Sequence, residues 1–279
     1  MKNKFQYFNR YLLVWYKKNK RSFSWRGSRD PWKILLLETL SQQTQLERAN
    51  EYYELFIDKY PNPETMARKR SRTILKDWSG LGYNNRALRL HETSKLIAKH
   101  GWIKYKQDLD SLPGVGEYTK NAVEAFAYGK RVIAVDVNIK RVLRRYHGES
   151  VDKKWIEDNL DRLIGSSDPR NWNQAIMDLS SMICSNRDPR CYLCPIENSC
   201  SKFIEIQKDV KRAPFKGSSR EKRGKILKKL LNTRELDFKD IQKLTKSNQK
   251  DMLSLLYKME NDKLINVNEE KKIVILTRR

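Results

Sequence analysis

The segment Leu112-Pro113-Gly114-Val115-Gly116-Glu117-Tyr118-Thr119 constrains this chain more than any other. Two glycines behind a stiffening proline permit a tight turn whose amides point outward. The spacing predicts a helix from about Glu117, with Ala122, Val123, Ala125 and Phe126 on its apolar side and Gly129 at its end. Free amides at the head of such a helix form a seat for an anion such as a phosphate. An ordinary inter-helix turn can carry the same residues, so the rest of the chain must decide. Arg131 to Val135 reads as an extended connection, and Asp136 and Asn138 head the next helix, Ile139 to Tyr146. An aspartate there is a natural N-cap. This one also follows an apolar run and lies close in sequence to a phosphate-holding turn.

The cysteines narrow the reading. Cys184, Cys191, Cys194 and Cys200, the only four in the chain, follow a C-x6-C-x2-C-x5-C pattern. Thiolates so closely spaced can wrap one tetrahedral centre, with zinc as the generic occupant. Zinc ribbons pair two C-x2-C knuckles, whereas here one tight pair is flanked by two outlying cysteines. The clustering suits a metal site in a reducing compartment better than a disulfide framework. Arg187 and Arg190 project from the loop between the first two cysteines and are expected to meet backbone phosphates.

Helical spacing accounts for most of the remainder. Phe5, Phe8, Leu12 and Trp15 give the first helix one buried face, and Trp25-Arg26 follow in a loop. Asp30-Pro31 starts a helix that is apolar nearly all round before Glu38 and is expected to continue through Ser41-Gln42-Gln43-Thr44-Gln45. A carboxylate in so apolar a helix is costly unless partnered or protonated, and desolvation raises its pKa toward that of a general acid working near neutrality. A glutamate pointing to water at the helix edge is the bland alternative. Tyr52 to Tyr60 mark a helix ended by Pro61-Asn62-Pro63; Ile74, Leu75 and Trp78 mark a short one closed by Gly80-Leu81-Gly82; Arg86 to Lys99 is a basic amphipathic helix stopping before Gly101. No strand-rich block interrupts these helices. The tail then changes character. Residues 208–222 read as a basic linker, Ile226–Leu231, Phe238–Leu244 and Asp251–Met259 as three helices, and 264–267 with 273–276 as a two-strand hairpin. That makes a small winged-helix-like α+β module over 223–279, with a protein-docking domain as its alternative.

Charge points to the partner. The 279 residues carry a formal +24, which favours a polyanion, and aromatics at 10% suffice for a core and for stacking on bases. No apolar run is long enough for a bilayer, and the basic N-terminus has no signal-peptide apolar region. The expected location is therefore the cytoplasm or the nucleoid, with no membrane partner.

Taken together, these residues resemble the helix-hairpin-helix DNA glycosylase superfamily that carries an iron–sulfur cluster. From about Phe5 to Ile206 the chain is similar to the catalytic core of MutY-type adenine DNA glycosylases, through Trp25-Arg26, Glu38, Gln42-Gln43-Thr44-Gln45, Gly80-Leu81-Gly82-Tyr83, the hairpin turn, Asp136, Asn138-Ile139-Lys140-Arg141-Val142, Asn173-Gln174-Ala175 and the four cysteines. The resemblance implies an all-α, two-lobed core: a six-helix barrel domain over 25–133 and a cluster domain made of 1–24 and 134–207. It implies a 4Fe–4S cluster on Cys184, Cys191, Cys194 and Cys200. It implies Glu38 as the acid that protonates the leaving base and Asp136 as the carboxylate that stabilises the oxocarbenium-like sugar. The base must leave the stack first. Trp25, Arg26, Ser41, Tyr118, Asn138 and Gln174 fall where the family lines its base pocket. Gln42, Gln43, Tyr83, Asn84, Pro113, Gly114, Val115, Gly116 and Lys140 fall where it meets DNA.

The implied activity is that of a monomeric, monofunctional glycosylase acting on double-stranded DNA with a mispaired or damaged base, with adenine opposite 8-oxoguanine or guanine first. Bifunctional relatives place a lysine nucleophile at the position of Tyr118, and Lys120 lies two residues further along, about 200° round the helix. Three departures from the adenine enzymes keep an alternative open. Ser41 replaces a leucine, Asn84 replaces a second tyrosine, and the winged-helix-like tail stands where those enzymes carry a Nudix-like domain. Tyr118 and Tyr83-Asn84-Asn85-Arg86 also fit thymine/uracil·G mismatch glycosylases. A non-catalytic iron–sulfur winged-helix DNA-binding regulator would explain the charge and the tail but leave Glu38 and Asp136 without a role. Lys228, Lys229, Lys239, Lys243, Lys246, Lys250, Lys271, Lys272, Arg278 and Arg279 make the tail a source of salt-dependent DNA affinity.

Overall fold

The computed structural model describes residues 4–148, 150–203 and 214–277. Arg278, Arg279 and the stretch 208–213 of the expected linker lie outside the described residues. In chain order the helices are α1 (Lys4–Asn19), α2 (Pro31–Ser41), α3 (Leu46–Lys59), α4 (Pro63–Ala67), α5 (Ser71–Asp77), α6 (Asn85–Tyr105), α7 (Glu117–Tyr128), α8 (Val137–His147), α9 (Lys153–Asp158), α10 (Leu160–Ile164) and α11 (Pro169–Met182). The tail adds α12 (Ser219–Leu230), β1 (Glu235–Asp237), α13 (Phe238–Thr245), α14 (Gln249–Asn261), β2 (Ile265–Asn268) and β3 (Ile273–Leu276). Two compact units result: Met1–Glu38 with Val115–Lys208, and Thr39–Gly114 with Asp209–Arg279.

The first unit is built on α1 against α8 and α11, around fully buried Phe8, Leu12, Tyr146, Trp172 and Leu179. The buried stripe of α1 is Phe5, Phe8, Leu12 and Tyr16. Trp15, expected on it, is only partly buried, because the stripe follows the one-turn spacing from Leu12 to Tyr16 and position 15 falls to its side. Trp25-Arg26 sit in a 3-10 turn, Ser24–Gly27, not in an irregular loop. Asp30 caps α2 through its Oδ1, which accepts from the amide of Trp32 at 2.8 Å. Gly129, at φ 65°, ends α7 in the left-handed conformation that favours glycine.

The second unit contains α3–α6 and the tail. The α2 helix stops at Ser41 rather than continuing to Gln45, and Gln43 turns the chain at φ 58°. Arg86 supplies the reason: its guanidinium donates to the carbonyls of Thr39 at 2.9 Å and Leu40 at 3.1 Å and also to Gln42, groups a helix end leaves unsatisfied. Pro63 does more than terminate α3. Asn62 accepts from the amide of Thr65 at 2.9 Å and starts α4 with the proline in its first turn. Gly101 breaks α6 at φ 74° where its helix was expected to end.

The tail is a winged-helix arrangement. Ser218 caps α12, so this helix begins inside the stretch expected as linker. β1 joins the expected hairpin to give an antiparallel sheet in the order β1-β3-β2. At three residues, with only Leu236 inward, β1 is too short to show alternation in sequence. Arg72 of α5 donates to the carbonyls of Leu231 at 2.9 Å and Thr233 at 3.0 Å, tying the tail to α5. Among the described residues no helix is long and apolar enough to cross a membrane.

Candidate active site

Glu38 lies on the apolar helix α2 and is 8% exposed. The hydroxyl of Tyr118, the second residue of α7, donates a hydrogen bond to its carboxylate, and Asp136 adds a second negative group nearby. Burial, followed by repulsion from Asp136, outweighs the hydrogen bond and raises the Glu38 pKa from 4.5 to about 7. The Tyr118 phenol is pushed well above 10, first by burial and then by the same two carboxylates. Both acids and the phenol belong to the first unit. The glutamate is not a surface residue.

Asp136 is an N-cap and more. Its Oδ1 accepts from the amides of Asn138 at 2.9 Å and Ile139 at 2.7 Å, while Oδ2 accepts from Asn138 Nδ2 at 2.7 Å. Arg141 donates to Asn138 Oδ1 at 2.7 Å and to the carbonyls of Cys184 at 3.0 Å and Ser180 at 3.2 Å. Asn138, expected in the base pocket, therefore holds the aspartate in place. Lys140 is exposed on α8.

Arg26 and Gln174 join a buried network. The Arg26 guanidinium grips fully buried Asp178 with both terminal nitrogens, at 2.7 and 2.5 Å, and Arg21 adds a third contact at 2.7 Å. Tyr16 donates to Gln174 Oε1 at 2.6 Å, which leaves the amide nitrogen of Gln174 as its donor. Trp25 stacks on Phe23 at 4.9 Å between centroids, with the Arg26 guanidinium near both rings. Asp178 and Tyr16 escaped sequence reading. The available signal was an acid one turn after Gln174 on an otherwise apolar helix face.

The hairpin turn places Gly114 at φ 83°, where an added Cβ would lie 3.1 Å from Arg89 Cβ, so glycine is required twice over. Gly116 is extended, and an added Cβ there would meet nothing within 4 Å; the turn itself does not demand it. Val115 is buried, and the Pro113 carbonyl accepts from Thr93 Oγ1 at 2.9 Å. In the second unit, Gln42, Gln43, Tyr83 and Asn84 line one groove of about 700 Å³. Arg86, which sequence reading left as one cation of an amphipathic helix, fixes both rims. It reaches the α2 carbonyls on one side and those of Leu81 and Gly82, at 3.4 and 3.3 Å, on the other. Ser41 is half-buried at the end of α2.

Cys184, Cys191, Cys194 and Cys200 line one cavity of about 110 Å³ together with Val142, Tyr146 and Ile196. Donors already face the sulfurs: the Lys202 amide to Cys200 at 3.4 Å, Arg145 to Cys184 at 3.4 Å, and the Ile196 amide to Cys194. Such N–H donors suit thiolate ligands. Burial, opposed by the Ile196 bond and reinforced by the other cysteines, pushes the Cys194 thiol up to about 12. Among the described residues no group of three or more His, Cys, Asp or Glu side chains is drawn close enough to close on a metal ion. Arg187 and Arg190 are exposed on the loop, and Arg190 also donates to the Met182 carbonyl at 2.7 Å.

Residues 37–165 match the family described as HhH-GPD superfamily base excision DNA repair protein. An adenine DNA glycosylase of Buchnera aphidicola is 32% identical over 201 residues, covering 69% of this chain and 57% of that protein. A thymine/uracil-DNA glycosylase of Methanothermobacter thermautotrophicus is also 32% identical over 201 residues, covering 69% of this chain and 91% of that protein. Among solved structures, a thermostable thymine-DNA glycosylase superposes with a TM-score of 0.66 at 31% identity, over 71% of this chain and 96% of its own. The chain spans less than two thirds of the length of several adenine glycosylases that it matches.

Proposed function

This chain belongs to the HhH-GPD superfamily of base excision DNA repair proteins, and on that premise we propose that it is a monofunctional DNA N-glycosylase excising adenine opposite 8-oxoguanine or guanine. One observation carries the reading: a carboxyl that keeps its proton to about pH 7 stands beside a second, hydrogen-bonded carboxylate. Adenine is a poor leaving group until a ring nitrogen is protonated, and Glu38 is placed to supply that proton. Asp136, held by two amides and by Asn138, opposes the positive charge that develops on the sugar as the bond breaks, and water completes the hydrolysis on the sugar. The base has to be rotated out of the duplex, and Gln42, Gln43 and Tyr83 are suited to fill the gap. The hairpin amides and exposed Lys140, Arg187 and Arg190 suit the phosphate backbone. Double-stranded DNA bearing a mispaired or damaged base is thus the partner, met by a monomer in the cytoplasm or nucleoid.

The cysteine cavity fits a 4Fe–4S cluster, held by Cys184, Cys191, Cys194 and Cys200. When bound, the cluster would contribute net charge and fix the loop that carries Arg187 and Arg190. Brown protein with roughly four irons per chain is the expected result of anaerobic purification; stoichiometric zinc without iron would rule it out.

A second reading, thymine or uracil opposite guanine, is favoured by the Tyr118 hydroxyl on Glu38 and by equal identity to relatives of both kinds. Incubation with duplexes carrying A·8-oxoguanine, A·G, T·G and U·G, followed by hot alkali, separates the readings. Strand breaks at adenine support the first and breaks at thymine or uracil the second. No break at any of them would leave the DNA-binding regulator. Without alkali the strand should stay whole, since Tyr118 cannot form a Schiff base. High-yield covalent trapping with borohydride would refute the monofunctional assignment and direct attention to Lys120.

A further inference from the structure

The groove that contains Gln42 and Tyr83 has a second wall, and that wall is the tail. It is formed by α12 and the preceding Phe215, with Arg220, Gly224, Leu227 and Lys228 recurring at helical spacing along the groove. Cations dominate: Arg89, Arg220 and Lys228 are exposed there, while the one carboxylate, Asp262, is paired with Arg223. Two large rings are held out toward water, Tyr83 at 47% and Phe215 at 62% exposure. Tyr83 is also held at φ 46°, an uncommon conformation for a bulky residue.

Gly224 supplies an independent observation. It lies inside α12, where glycine weakens a helix by about 1 kcal/mol relative to alanine. Its φ is ordinary, and an added Cβ would meet no protein atom within 4 Å. Neither backbone nor packing explains the glycine. What its missing side chain does is keep the groove open.

Flat rings, amide side chains and cations around an open slot match the chemistry of a nucleotide. We propose that this groove receives an unpaired nucleotide of the strand opposite the excised base, with its phosphates drawn by Arg220 and Lys228 and its base set against Tyr83 and Phe215. The tail is then part of the reader of the opposite base and not only a source of affinity. The identity of the strand rests on the glycosylase reading; the capture of an unpaired nucleotide does not.

The test uses the full chain and needs no excision. One duplex carries an uncleavable abasic-site analogue opposite 2-aminopurine, and its control is the same duplex fully paired. Wild-type protein should prefer the first and change the 2-aminopurine fluorescence on binding. Gly224→Leu, which fills the slot with a better helix former, should lose about tenfold in affinity for the unpaired duplex, the scale of one stacked base, while affinity for the paired control stays within about twofold. Phe215→Ala, an exposed change, should reduce the fluorescence response even if Gly224→Leu folds poorly. Equal wild-type binding of the two duplexes, or variants that keep both the preference and the response, would overturn the proposal. If the preference and its loss are seen but no mispaired base is excised by the wild type, the glycosylase reading fails and the nucleotide site stands.

Discussion

Two carboxylates are buried in the same unit and meet opposite surroundings. Asp178 receives three guanidinium contacts from Arg21 and Arg26, and a buried charge so matched serves the fold. Glu38 has no printed ion pair; it faces a phenol and another carboxylate, and burial makes its charged form costly. The first arrangement keeps a charge fixed in place, whereas the second holds a proton ready for release. Depth alone does not distinguish a structural acid from a chemical one; the sign of the neighbours does.

The comparison breaks hardest at Asp136. Asp136→Asn should lower single-turnover excision by about three orders of magnitude, since the charge opposing the oxocarbenium ion is gone. An asparagine still caps α8, and only the bond from Asn138 Nδ2 is lost, so stability should fall by about 1 kcal/mol. Near wild-type excision would reduce Asp136 to a cap. Asp178→Asn should do the reverse to stability, lowering it by about 4 kcal/mol because two buried guanidinium groups lose their counter-charge. A urea midpoint that hardly moves would show the network to be dispensable.

Glu38 predicts an unusual pH dependence. The folded protein keeps this proton up to about pH 7, whereas the unfolded chain releases it near 4.5. The native state therefore binds the extra proton between those values, and its stabilisation is complete below 4.5 and lost as pH rises to 7. Glu38→Gln should abolish that slope, with urea midpoints at pH 5 and pH 8 differing less than in wild type by the equivalent of roughly 3 kcal/mol. Its excision should fall about a hundredfold or more. Wild-type excision should decline above pH 7, and a flat profile would separate Glu38 from the proton transfer. The smallest effect belongs to Tyr118→Phe. Removing a hydroxyl that favours the charged carboxylate should move that decline upward by about one pH unit. A downward movement would mean that the phenol acts on something other than Glu38.

The local parts of this site were readable in the sequence. Helix starts, the cap at Asp136, the apolar setting of Glu38 and the cysteine spacing all depend on neighbours within a few residues. The pairing of Arg26 with Asp178 spans 152 positions, and the reach of Arg86 to Gln42 spans 44, so neither had a local signal. The same holds for the early end of α2, which Arg86 sets from outside the helix. Asn138 was assigned to the base rather than to Asp136 because spacing reports which residues share a helix end, not which of them turn toward each other.

Gly224 has a consequence for anyone who selects variants of this chain. Nearly any replacement there should lengthen survival on heating, because α12 gains helix propensity and nothing in the protein resists the added atoms. A library screened only for heat resistance should therefore discard this glycine early, and its survivors would be sturdier proteins with a blocked slot. The position would look like a defect to a stability screen and would become visible as a requirement only when DNA is included in the selection.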